Sequence, residues 1–391
     1  MSDLGNDVTL WASSFGHWSK KESINGSEAF KTEVLDNLKI VTLKTRPLYY
    51  KNDLKRILNM LYFANAFTRI SKDFKQTPDI IIASYPSPFA AYSAYKLARK
   101  LKARFVLEIR DLWPQNWVER GAFSKYHPFV QVLYRLEKYL YRNSDIIVTA
   151  LPYVSEYLSE RGIERNNVFW IPNAADLTDA ASGGVSQPLD DESENIRGLM
   201  NENAKKNILN IVYVGGLGPA NKVDTILEAA KILRDRNIKN VFFTVVGSGH
   251  SRENLIQYVK GNNIQSVRIW PAVSGSSVPG ILKCADIGVL CLHDNPIYRY
   301  GVNLHKIYDY ASAGLPIVFA AKVRNDLVAL AKAGMTVPPG DPEAIAQSLL
   351  TLQAMDKEKR TAIGRRGYKY IAEHYDLSVL SKKYLDIISS N

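Results

Sequence analysis

The sequence predicts an α/β protein of two doubly wound domains facing a cleft. Three observations predict it: short apolar runs that recur along the chain, helical patterns between them, and a polar interval dividing the series in two. Strands covered on both faces read as continuous apolar runs. In such sheets ligands collect beyond the carboxyl ends of the strands, so the loops there are where chemistry is expected.

In the first half, apolar runs at residues 8–12, 80–84, 105–109, 146–149 and 168–171 predict buried strands, with helices at 89–101, 128–141 and 154–161. The interval from Ala181 to Lys206, with SGG, QP and DDESE segments, predicts a flexible loop near a domain junction. In the second half, strands are expected at 208–214, 241–246, 267–270, 287–292 and 316–319. Helices are expected between them at 223–234, 252–260, 278–284 and 305–313, and in the tail at 344–352, 357–373 and 377–388. The expected organisation is a first domain over 1–178, a linker over 179–206, a second domain over 207–365, and helices over 366–391 packing back toward the first domain.

A chain of 391 residues with 46% hydrophobic content can fill two cores. Its two cysteines, Cys284 and Cys291, form no C-x-x-C, which fits a reducing compartment. No apolar run reaches the length of a membrane span and no signal peptide opens the sequence, so a soluble or peripherally attached protein is expected.

Charge is uneven: residues 1–110 carry 18 Lys+Arg against 10 Asp+Glu, in a chain of net +11. Much of the excess lies between Lys44 and Lys75, interleaved with Tyr49, Tyr50, Tyr62, Phe63 and Phe67. Lys51, Lys55 and Arg56 are the candidate contacts to an anionic membrane surface. A half-buried helix with a solvated basic side gives the same pattern. No nucleic-acid motif accompanies it, and no nucleic acid is expected.

Three loops of the second half carry binding chemistry. Gly215-Gly216-Leu217-Gly218-Pro219-Ala220-Asn221-Lys222 follows a strand and opens a helix, where glycines admit close backbone approach and the helix terminus favours an anion. Gly247-Ser248-Gly249 follows the next strand. The third loop runs through His293, Asp294 and Arg299 into residues 300–318. Asn303, His305 and Lys306 stand at that helix's N-terminus, and Asp309 follows on a neighbouring face. A ligand with phosphate and hydroxyl groups, such as a nucleotide-sugar, suits this arrangement, though a capped helix packed on a sheet has the same pattern.

These motifs, taken in order, resemble the family 4 glycosyltransferases, whose two Rossmann-like domains form the GT-B arrangement. That family's usual pattern is a Glu, seven residues, a second Glu, then A-x-G-x-P. Here Gly314 and Pro316 supply the G-x-P, Asp309 takes the second acidic position and Gly301 the first. Residues 300–310 resemble Y-G-I-S-P-N-K-L-F-D-Y of a bacterial surface-polysaccharide subgroup identified as L-fucosamine transferases, with Lys306, Asp309 and Tyr310 kept. The Gly215–Asn221 loop is similar to that subgroup's G-N-x-G-x-A-Q. Arg110-Asp111-Leu112-Trp113-Pro114-Gln115 is similar to its R-D-L-W-P-E, and residues 171–176 to the I-P-N-G-V-D before the second domain.

The resemblance implies transfer of a sugar from a nucleotide-diphosphate sugar, with configuration retained and no divalent metal or other cofactor. In the O-antigen and capsule syntheses that the subgroup serves, the acceptor is a lipid-linked saccharide at the cytoplasmic membrane face. Arg110, Asp111 and Lys306 would serve catalysis. Gly215, Gly216, Gly218, Lys222, Gly247, Gly249, Arg268, Trp270, Asn303, His305, Lys306 and Asp309 would hold the donor, Lys306 at the diphosphate and Asp309 at the ribose. A uridine-linked N-acetylated deoxyhexosamine is the donor the subgroup suggests. Gly301 departs from the acid that contacts the sugar, and Gly216 stands where many members have an arginine. The sequence reaches Gly5-Asn6-Asp7-Val8-Thr9-Leu10 at once, so the family's usual first βα unit is expected to lie upstream or to be missing. A binding protein that keeps the fold without turnover is the alternative reading.

Overall fold

The computed structural model describes residues 1–17, 19–50, 54–74, 77–177 and 190–390. Lys51 lies outside the described residues. The chain divides into two compact units, one of residues 1–171 with 381–391 and one of residues 172–380. Both are Rossmann-like α/β units.

The first unit holds two sheets. Strands β1 (Val8–Ser13), β2 (Phe30–Leu35) and β3 (Leu38–Leu43) form one, ordered β1-β3-β2, with β1 parallel and β2 antiparallel to β3. Strands β4 (Ile80–Tyr85), β5 (Arg104–Ile109), β6 (Ile146–Thr149) and β7 (Val168–Trp170) form a parallel sheet in sequence order. The helices Leu54–Ile70 and Pro88–Leu101 pack on each other, the second opening with Pro88 in its first turn, where a missing N–H costs nothing.

The strand at 8–12 was expected to be buried. It is instead an edge strand, with Leu10 50% exposed, and β4 ends the other sheet with Ile82 37% exposed. An apolar run signals a strand but does not report how many neighbours it has. The β2–β3 hairpin was not expected either. Its turn runs through Asp36 and Asn37, Asp36 having φ 50°, the left-handed geometry that short hairpin turns require.

The second unit is one parallel sheet ordered β10-β9-β8-β11-β12-β13. Its strands are β8 (Leu209–Val214), β9 (Val241–Val246), β10 (Val267–Trp270), β11 (Ile287–Cys291), β12 (Ile317–Ala320) and β13 (Gly334–Val337). From β8 the chain winds outward to β10, then crosses back to lay β11 beside β8. The β8–β11 junction is therefore the topological switch point, where neighbouring connections leave in opposite directions and open a crevice.

Residues 191–205, read as part of a flexible loop, form the helix Asp191–Lys205. Asp190 caps it by accepting from the Ser193 N–H, three acidic residues occupy its first turn, and Ile196, Met200 and Asn203 are buried. A narrow apolar stripe suffices here because one face alone is covered. In the tail, the helix Lys357–His374 packs on the helix His305–Ser312 in the second unit, whereas residues 381–391 group with the first. There Arg104 donates to the Ile388 carbonyl and Lys383 to the Trp170 carbonyl. Among the described residues, no helix is long and apolar enough to cross a membrane.

Candidate functional site

The sequence around β8 and β11 sets a largely buried cation at the carboxyl ends of these strands. Apolar residues bury both strands up to Val214 and Cys291. Pairing of β11 with β8 covers only residues 287–288 against 211–212. Tyr310, from the helix His305–Ser312, fills the space beyond: the Val214 N–H donates to its hydroxyl oxygen at 2.8 Å. The two loops are tied by the His293 N–H donating to the Ala220 carbonyl at 3.0 Å.

Lys306 extends into this junction. Its ammonium donates to the Asn221 side-chain oxygen at 2.6 Å and the Tyr213 hydroxyl at 3.0 Å, and lies 4.9 Å from the Tyr213 ring centroid. No carboxylate pairs with it among the described residues. Burial lowers its pKa to about 8, and the nearby Cys291 sulfur opposes that shift. Burial likewise pushes the Cys291 thiol up to about 12, with Asp224 adding to the rise and Lys306 and Lys222 opposing it. The cationic ends of Lys306 and Lys222 therefore act on the same end of β11. Lys222 is itself paired with Asp224 at 2.8 Å on the open surface.

Gly215 leaves room for the lysine. A Cβ there would lie 2.6 Å from Lys306 Cε, and its φ of 150° disfavours a side chain in any case. Gly249 has φ 153°, and a Cβ would lie 2.3 Å from the Leu217 carbonyl oxygen. The two glycine loops are held together by the Leu217 N–H donating to the Ser248 carbonyl and the Ser251 N–H to the Leu217 carbonyl. Gly216 and Gly218 meet no such crowding. The helix Val223–Asp235 starts after Lys222, so its N–H groups face out at Lys222–Asp224 rather than at Gly218. Among the described residues neither it nor the helix His305–Ser312 has a side-chain cap, and an uncapped N-terminus suits an anion.

Asp309 is open to solvent, yet enough protein surrounds it to raise its carboxyl to about 6. It has no hydrogen-bond or ion-pair partner among the described residues. His305 is exposed at the first position of the helix. Asn303 is committed elsewhere: its side-chain oxygen accepts from the Asn173 N–H at 3.1 Å and the Tyr308 hydroxyl at 2.9 Å. Gly301, buried with φ 98°, precedes Val302, which Asn325 pins through both backbone groups. At the outer edge of the sheet the Arg268 guanidinium stacks 4.0 Å from the Trp270 ring centroid, and the Gly247 N–H donates to the Trp270 carbonyl. The buried Trp270 indole nitrogen has no hydrogen-bond partner among the described residues.

In the first unit, Arg110 is exposed just past β5. Asp111 beside it accepts from the Leu112 N–H at 2.8 Å and the Asn116 side chain at 2.7 Å, which fixes the loop. Burial raises its carboxyl above the usual range despite those bonds. Lys55 is exposed and Arg56 half-buried in the first turn of the helix Leu54–Ile70.

Lys306 and the glycine loop were candidates from the sequence, whereas Tyr213 and Asn221, which hold the lysine, were not. Tyr213 is the one polar aromatic in an otherwise aliphatic strand end, a visible signal. Asn221 lay within the recognised loop without an assigned role.

Residues 1–179 match the sequence profile of Glycosyltransferase Family 4, and residues 209–354 that of Glycosyl transferases group 1. No curated protein sequence matches the chain. Solved structures share its fold. Sucrose-phosphate synthase from Thermosynechococcus elongatus is 16% identical with a TM-score of 0.71, over 98% of this chain and 88% of that one. The α,α-trehalose-phosphate synthase (UDP-forming) from Burkholderia vietnamiensis is 14% identical with a TM-score of 0.73, over 98% and 97%. Anabaena HepE, solved with UDP and glucose, is 14% identical with a TM-score of 0.66, over 91% and 87%.

Proposed function

We propose that this chain, built from two glycosyltransferase-family domains, moves a sugar from a nucleotide-diphosphate sugar to a saccharide acceptor, with the nucleotide diphosphate bound at the β8–β11 switch point. The observation that carries this reading is Lys306, a cation held by two neutral groups between two uncapped helix N-termini. A desolvated cation without a counter-charge is costly, and an anionic ligand relieves that cost. A diphosphate has the charge and the oxygens to satisfy the ammonium and the exposed N–H groups together.

In the transfer, the bond between the anomeric carbon and the diphosphate oxygen breaks, and the acceptor hydroxyl forms the new bond. Its proton leaves toward the departing diphosphate. Lys306 and the helix termini stabilise the charge that develops on the leaving group, a task needing no divalent metal in this account. Asp309 accepts hydrogen bonds from ribose hydroxyls. The base lies against the loop of Gly247 and Gly249 and the end of β10.

Configuration is taken as retained, and the donor as uridine-linked, the nucleotide that HepE binds in the solved complex. The acceptor reading is a lipid-linked saccharide at an anionic membrane surface, supported by the basic first unit.

The test is thermal melting of the chain against a panel of nucleotide-sugars without metal, followed by an assay for nucleoside diphosphate release. A ligand that binds only the folded state raises the melting temperature. A selective rise with one nucleotide-sugar supports the donor assignment, and turnover separates an enzyme from a binding protein. No rise with any member of the panel contradicts the reading.

A further inference from the structure

We propose that the first unit carries its own phosphate-binding site, formed by His17, Lys20 and Arg56 around the rings of Tyr49 and Trp113, which takes a phosphate group of the acceptor. The link to an acceptor rests on the reading above; the site itself rests on the geometry of the first unit alone.

These residues come from four separate segments. His17 and Lys20 follow β1, Tyr49 follows β3, Arg56 lies in the first turn of the helix Leu54–Ile70, and Trp113 follows β5. Each strand delivers its residues at the carboxyl end, the edge of an α/β sheet where ligands bind. His17 Nδ1 lies 3.0 Å from the Tyr49 hydroxyl, and the Lys20 ammonium sits 4.7 Å from the centroid of the same ring. The Arg56 guanidinium lies 5.1 Å from the Trp113 ring centroid. The two aromatic rings therefore hold two cations and an imidazole in one neighbourhood.

The groups feel one another's charge. Burial, then Arg56, then Lys20 hold the His17 imidazole down to about 4. Burial and Arg56 lower Lys20 as well, and burial lowers Arg56. Asp111 acts on Arg56 from the loop after β5, and its oxygens accept from the Leu112 N–H and the Asn116 side chain. Arg56 and Lys20 repel added positive charge at His17, and a multiply charged anion bound among the three turns that repulsion into attraction. A guanidinium fork, a lysine point charge and a tyrosine hydroxyl match the several oxygens of a phosphate ester or diphosphate.

The experiment follows the His17 ring signal by NMR at neutral pH, assigned by its loss in His17→Gln, as inorganic phosphate is added to the full chain. Lys306→Met serves as a second background, in which the second unit's cation is absent. The expected result is a phosphate-dependent shift toward the protonated position in both backgrounds. In Arg56→Gln and in Lys20→Gln the phosphate needed should rise about tenfold, the loss of one charge-assisted hydrogen bond.

A His17 signal that does not move, or moves equally in both variants while they melt like the parent, overturns the proposal. Cosedimentation with phosphatidylcholine vesicles containing phosphatidic acid, lost in Arg56→Gln, identifies a lipid headgroup as the phosphate source. A phosphate shift without cosedimentation identifies a soluble phosphorylated ligand. Loss of nucleotide-sugar binding with an intact His17 response would sink the donor reading instead.

Discussion

The Lys306 ammonium is held 2.6 Å from the Asn221 side-chain oxygen, a neutral partner on the loop after β8, with no carboxylate paired to it among the described residues. Such a lysine serves a ligand at the expense of the fold. Lys306→Met, similar in volume and uncharged, should leave the melting temperature unchanged or raise it. A loss above about 1 kcal/mol in denaturant unfolding would show that the cation supports the structure itself.

The same lysine gives stability a pH dependence. Its folded pKa of about 8 lies below the ordinary 10.5, so between those values the unfolded chain binds more protons. Its contribution to stability therefore rises with pH across that window. Lys306→Met should remove that rise, which unfolding at a series of alkaline pH values measures.

Gly215→Ala should damage the site through geometry. The new Cβ would lie 2.6 Å from Lys306 Cε in a backbone conformation with φ 150°. We expect a destabilisation of roughly 1–3 kcal/mol and weaker nucleotide-sugar binding, read by calorimetry beside the parent. Gly218→Ala, in open space, should change stability far less.

Nucleotide-sugar affinity should follow a bell in pH. Asp309 titrates at about 6 and Lys306 at about 8, and binding needs the first deprotonated and the second protonated. Affinity should fall below the first value and above the second. Asp309→Asn should flatten the acid limb and leave the alkaline one. An acid limb that survives in Asp309→Asn removes this residue from the ribose role.

In the first unit Glu137 is buried and accepts from the Tyr141 hydroxyl at 2.9 Å and the Tyr157 hydroxyl at 2.8 Å, with Arg161 Nε at 3.9 Å. Burial outweighs these partners and raises its pKa from 4.5 to about 8. The folded state keeps a proton that the unfolded chain releases, so this group's stabilisation is full below 4.5 and lost as pH rises through about 8. Glu137→Gln, which keeps the shape, should reduce this dependence in unfolding measured from acid to neutral pH.

Much of this architecture was legible because β5, β6, β8, β9, β11 and β12 are apolar runs covered on both faces. The hairpin of β2 and β3 was not: Phe30–Leu35 is exposed throughout and interrupted by Lys31 and Glu33. The helix Asp191–Lys205 was masked by its polarity, though Asp190 ahead of an acidic first turn marked its start. In the site, Lys306 and Gly215 could be read from residue type and loop position. The bracing role of Asn303 could not, because its partners Asn173 and Tyr308 are set by packing. Nor could the apposition of Arg56 and Trp113, which are distant in sequence and meet only through the fold.

The most direct measurement is calorimetric titration of a nucleotide-diphosphate sugar into the parent chain and into Lys306→Met, without metal. Saturable binding is expected for the parent and a loss of at least about tenfold for the variant, with folding intact. Equal affinity in the two proteins would contradict the placement of the diphosphate at the β8–β11 junction.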